Sequence, residues 1–155
     1  MSKPILTSTI VDSTKTTRPK TAGMQRDWYI IDASKKPLGR VATEISNLLM
    51  GKNRADFSQD VDMGACVVVI NSAKTVVTGM KAKYKVYFSH PTSRPGSMKT
   101  RSFEEQIELD PTRVIYLAVK RMLPKNRLQD VRLNQRLNIF ADENHNFSQK
   151  LIPSN

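Results

Sequence analysis

Between positions 117 and 128 the chain reads Leu-Ala-Val-Lys-Arg-Met-Leu-Pro-Lys-Asn-Arg-Leu. Lys120, Arg121, Lys125 and Arg127 place four cations around Pro124, and Asn126 sits between the last two. The chemistry open to such a set is the gripping of a polyanion. Ammonium and guanidinium groups meet phosphate oxygens, and a carboxamide hydrogen-bonds a sugar or a base. The plainer reading is a helix end with cations near its negative pole, worth about 0.3–1 kcal/mol. Arg132 and Arg136 extend the basic run, in which Asp130 is the only acid.

A second basic region spans positions 81–101. It holds Lys81, Lys83, Lys85, Arg94, Lys99 and Arg101 without an acid, interleaved with Tyr84, Tyr87, Phe88 and His90. Rings among cations suit RNA, because rings stack on unpaired bases while cations meet phosphates. The same aromatics also read as the core side of a half-buried strand over Tyr84–Phe88. Pro91, Pro95 and Gly96 imply an irregular, extended loop. A third group is Arg40, beside a helix start where phosphate is favoured, with Lys52 and Arg54 in a later loop.

Other reactive residues are poorly placed for catalysis. Asp60 and Asp62 are a close carboxylate pair, but no His, Cys or further acid stands near them to complete a site. They read as a turn or as salt-bridge partners of the basic surface. His90 has no nucleophile motif nearby, and His145 lies among asparagines. Hydrogen bonding to RNA or to the loop backbone suits His90 better than general-base work. Cys66 opens the run Cys66-Val-Val-Val-Ile70 and reads as a small buried core residue. Neither a Walker loop nor a dinucleotide fingerprint is present.

The composition favours an anionic partner. The 155 residues carry 25 Lys+Arg against 14 Asp+Glu, a net charge of +11. Such a balance speaks of partners, with nucleic acid first and an anionic membrane well behind. No apolar run reaches the roughly 18 residues that a membrane-spanning helix requires. A single cysteine excludes an internal disulfide framework and fits a reducing, intracellular compartment.

These residues need elements to position them. Residues 1–24 read as a disordered basic arm, rich in Ser and Thr, able to order on a partner. Residues 25–155 read as one domain. Trp28–Asp32 has strand character. Leu38, Val41, Ala42, Ile45, Leu48 and Leu49 recur at helical spacing, with Pro37 at the start and Gly51 at the stop. Cys66 to Asn71 reads as a strand buried on both faces, as in parallel sheets. Strand, helix and buried strand make a βαβ unit. Thr75–Thr78 is expected to be a short strand. Ser102-Phe-Glu-Glu105 matches a capping box, and Asp110-Pro111 opens the helix that delivers the basic turn. A short helix is expected over Leu128–Leu137 and a last strand over Leu137–Phe140, followed by a polar loop.

Several motifs occur in one order: Trp28-Tyr-Ile-Ile-Asp-Ala33, Leu38-Gly39-Arg40, Gly51-Lys52, Asp62-Met-Gly64, Val67 to Asn71, Thr78-Gly79, His90, Pro95-Gly96 and Ala118-Val-Lys-x-Met-Leu-Pro-Lys-Asn126. Together they resemble the universal large-subunit ribosomal protein family thirteen in its bacterial or organellar form, over about residues 26–150. The chain departs from that pattern at Ala65, Ser97, Arg121 and Leu128-Gln-Asp130. The resemblance implies an α/β fold of three α/β/α layers around a four-stranded parallel sheet. It implies binding to large-subunit ribosomal RNA, a place among neighbouring ribosomal proteins, and a role early in subunit assembly. It brings no enzyme activity and no cofactor; the residues themselves offer no complete metal set, and their cations are not gathered on one face of an amphipathic helix as membrane binding would need. The bacterial cytoplasm is the expected compartment, with a mitochondrial or plastid ribosome as alternative. Two other readings remain open: a free regulatory RNA-binding protein, and an RNA-processing enzyme on an α/β scaffold.

Overall fold

The computed structural model describes residues 24–148 and 150–153. The expected basic arm lies, but for its last residue, outside the described residues.

The order of elements follows the hydrophobic pattern. Strand β1 (Trp28–Asp32) runs through a turn into helix α1 (Leu38–Met50), and β2 (Cys66–Ile70) follows. The two strands pair in parallel, Trp28 opposite Cys66 and Asp32 opposite Ile70. That is the βαβ unit expected from the sequence. A four-stranded parallel sheet then forms in the order β5-β2-β1-β6, where β5 is Leu137–Ile139 and β6 is Leu151–Pro153.

Alternation along the strands sets the core. Ile31, Val67 and Val69 pack with α1 and with α4 (Pro111–Met122) in one apolar cluster. Trp28 meets the ring of Phe147 at 5.1 Å, so the 140–148 segment packs on the sheet as well. Helix α1 ends at Gly51, whose φ of +77° lets its amide close on the carbonyls of Asn47 and Leu48. The next backbone passes very close: a Cβ on Gly64 would stand 1.9 Å from the Leu49 carbonyl oxygen. Glycine is therefore required at Gly64 by contact, whatever its backbone angles.

Between β2 and β5 the chain forms a single turn α2 (Lys81–Tyr84), an antiparallel hairpin β3 (Val86–Ser89) and β4 (Lys99–Ser102), and helices α3 (Phe103–Leu109), α4 and α5 (Arg127–Arg136). The capping box at Ser102 is present in both directions, and Asp110 accepts from the amides of Thr112 and Arg113.

Two expectations need correction. Thr75–Thr78 is not a strand; a short 3-10 turn, Ser72–Lys74, precedes it, and the Val76 carbonyl accepts from the Leu38 amide instead of from a sheet partner. Nor is β5 the last strand, because Leu151–Pro153 returns to pair with Trp28–Ile30. Its position at the sheet edge tolerates Pro153, which has no amide hydrogen to give.

Candidate nucleic-acid interface

Helix α4 ends at Met122, and Leu123 turns the chain out of the helix before Pro124. The turn is held from inside by a residue that charge alone would not select. The buried Gln129 donates its side-chain amide to the Lys120 carbonyl at 2.6 Å and to the Leu123 carbonyl at 3.3 Å. These are C-terminal carbonyls of α4 that would otherwise lack partners. Outside this brace Lys125, Asn126 and Arg127 are exposed, as are Lys120 and Arg121. Asn126 stands at the N-cap of α5 without using its side chain as a cap.

The three basic groups of the sequence do not remain separate. An open cleft of about 920 Å³ is walled by the start of α1, the 77–85 segment and the end of α4. Arg40, Lys81, Lys85 and Arg121 all line it, one or two from each group, and the described lining residues include no acid. Two of its walls leave the carboxyl ends of β1 and β2, where open α/β sheets hold ligands. Burial pulls the Lys85 ammonium below its ordinary pKa, and the charges of Arg121 and Lys81 pull it the same way. The cleft is thus a place of unneutralised positive charge.

Tyr87 lines the same cleft. Its residue exposure is only 5 %, and its hydroxyl is buried with no hydrogen-bond partner among the described residues. Such an unpaired group costs about 1–3 kcal/mol. Lys85 Nζ lies 5.4 Å from the centre of its ring. Burial raises the phenol's pKa, while the Arg121 charge acts against that rise.

The structure turns two residues of the expected RNA surface into the interior. Arg132 and Arg136 are 2 % and 6 % exposed, and both face Asp62. The contacts are Arg136 Nη1 to Oδ1 at 2.6 Å and Arg132 Nε to Oδ1 at 3.4 Å. Burial and the Arg26 charge pull Arg136 down to about 10, which leaves it protonated at neutral pH. Arg26 also donates to the Gly64 carbonyl at 2.8 Å. Asp62 is therefore a salt-bridge partner, as one reading allowed, but of interior arginines. The ring of Tyr87 is buried behind the cleft lining, while Tyr84 and Phe88 are 73 % and 61 % exposed.

The remaining residues lie where a partner can reach them. Lys83, His90, Arg94 and Lys99 are exposed on or beside the hairpin, and Arg101 is half-buried. Lys52 is exposed beyond α1, whereas Arg54 is engaged by Asp56 at 3.0 Å. Asp60 accepts a hydrogen bond from Ser58. Among the described residues no three His, Cys, Asp or Glu side chains are grouped to hold a metal, and no helix is long and apolar enough to cross a membrane.

A family model described as Ribosomal protein L13 matches residues 26–146. The chain belongs to the ribosomal protein L13 family. Among its relatives is the large ribosomal subunit protein uL13 of Chloroflexus aurantiacus, 47% identical over 84% of this chain and 90% of that protein. The uL13 proteins of Thermotoga maritima and of a Sulfurihydrogenibium strain are 44% and 48% identical, over 84% and 90% of this chain and 87% and 92% of theirs. The matched family segment contains the cleft, the hairpin and the basic turn.

Proposed function

We propose that this protein is a structural constituent of the large ribosomal subunit, that it binds large-subunit ribosomal RNA, and that it supports early subunit assembly and translation without catalysing a reaction. The observation that carries the reading is the convergence of Arg40, Lys81, Lys85 and Arg121 on one acid-free cleft in a chain of this family. Nearby in sequence, Lys120, Lys125 and Arg127 meet phosphate, and Asn126 hydrogen-bonds sugar or base. Lys52 and Arg54 extend the RNA-binding face beyond α1. The hairpin, with Lys83, His90, Arg94, Lys99 and Arg101, reaches into RNA junctions, where Tyr84 and Phe88 stack on unpaired bases. Affinity is mainly electrostatic and specificity comes from RNA shape. Neighbouring large-subunit proteins complete the surroundings. The bacterial cytoplasm is the setting that the bacterial relatives support.

The test is binding of the full chain to protein-free large-subunit RNA across a salt series. Affinity should fall steeply with salt, and Lys125→Glu with Arg127→Glu should flatten the slope by about 0.7–0.9 for each phosphate that is no longer neutralised. Unchanged binding by that double variant at moderate salt would remove the turn as an anchor. Absence of wild-type binding at any salt would overturn the RNA reading and leave the enzyme alternative to be examined.

A further inference from the structure

The cleft has two chemical halves. Arg40, Lys81, Lys85 and Arg121 supply charge, and Leu117 and Met122 of α4 supply an apolar wall. Helix α1 opens into it. Pro37 offers no capping oxygen, and the first turn of α1 carries no acid to neutralise its dipole. The buried Tyr87 hydroxyl, unpartnered among the described residues, is a hydrogen-bond donor in the same lining. The volume of about 920 Å³ lies within the range of sites that enclose a small organic ligand. A smooth duplex backbone would satisfy the cations but leave the apolar wall unused. A nucleotide turned out of its stack would use both.

We propose that the cleft seats one unpaired nucleotide of the bound RNA, its phosphate held by Arg40, Lys81, Lys85 and Arg121 with the Tyr87 hydroxyl as a further donor, and its base laid against Leu117 and Met122. The proposal rests on the RNA reading above. The chemistry requires a phosphate joined to a flat heterocycle, which a free nucleotide also offers. The charge around the cleft favours the polymer, whose flanking phosphates engage the exposed cations beyond it. The soft thioether of Met122 suits a base face better than a sugar.

The experiment photo-crosslinks the full chain to large-subunit RNA transcribed with 4-thiouridine, with affinities measured in parallel. A crosslink mapping to residues 117–122 is expected. Arg40→Glu with Lys81→Glu should abolish it and weaken RNA binding by at least about tenfold. Lys74→Glu with Lys150→Glu, both exposed and outside the cleft, matches the charge change and controls for it. Tyr87→Phe should lower affinity while leaving the melting temperature unchanged or raised, because it removes only a hydroxyl without a partner. Wild-type RNA affinity and salt slope in the double variant, or crosslinks confined to other segments, would overturn the cleft while leaving the RNA reading intact. Saturable binding of uridine monophosphate in the cleft, with RNA affinity untouched by the double variant, would assign it to a free nucleotide instead. Failure of the wild type to bind RNA would overturn both readings at once.

Discussion

Arg136 Nη1 donates to Asp62 Oδ1 at 2.6 Å, joining α5 to the segment before β2 across 74 residues of chain. The pair is interior, and Arg132 and Arg26 stand around the same carboxylate. One acid is therefore the counter-ion shared by two buried guanidinium groups and the partly exposed Arg26, and it ties down the helix that begins at the basic turn. Replacing Asp62 by Asn leaves buried positive charge without a counter-ion, which costs about 3–5 kcal/mol. Urea unfolding should show this as a lower midpoint without a new intermediate. A loss below about 1 kcal/mol, the scale of a surface pair, would mean that the network is solvated in solution.

Gln129 offers a separation of turn from charge. Its amide holds the Lys120 and Leu123 carbonyls, and it touches neither the Lys125 nor the Arg127 head group in any hydrogen bond described. Gln129→Ala should cost about 1–3 kcal/mol by leaving those acceptors unpaired. It should also weaken RNA binding while the net charge stays at +11. Amide hydrogen exchange at the α4–α5 junction would report the loosened turn. Unaltered exchange there would deny the brace.

Asp32 makes acid stability a local property. Burial pushes its carboxyl up, but the hydroxyl and amide of Ser34, the side-chain amide of Asn71 and the Lys35 charge outweigh that, and the net pKa lies below the ordinary value. A carboxyl depressed by folding stabilises fully above its unfolded pKa of about 3.9, and loses that contribution as pH falls through the folded value. Asp32→Asn should therefore flatten the stability-against-pH curve below about pH 4 and change its shape little at neutral pH. The same acid limb in both proteins would place the titrating groups elsewhere.

The fold was legible wherever a pattern had one period and one partner. Leu38 to Leu49 gave a helix, Cys66 to Ile70 a buried strand, and Ser102 with Glu105 a cap, and all three stand. The site was legible as charge and not as direction. Gln129, Arg132, Leu133 and Arg136 recur at helical spacing as one buried stripe of α5, but two members are arginines and read as surface until Asp62 is found beside them. Tyr87 and Phe88 are neighbours on a strand and must point opposite ways, so one step of register decides which ring faces out. That step is set by the hairpin pairing of Tyr87 with Arg101, which has no local sequence signal. Convergence of the basic groups on one cleft depends on α4 packing across α1, two segments far apart in the chain.

Sedimentation tests the central claim most directly. The tagged full chain, in a lysate run through a sucrose gradient at moderate salt with magnesium, should migrate with large subunits and translating ribosomes. Chelating the magnesium or digesting the RNA should release it. A protein that stays at the top of the gradient, absent from every ribosomal fraction under the magnesium condition, would contradict the account.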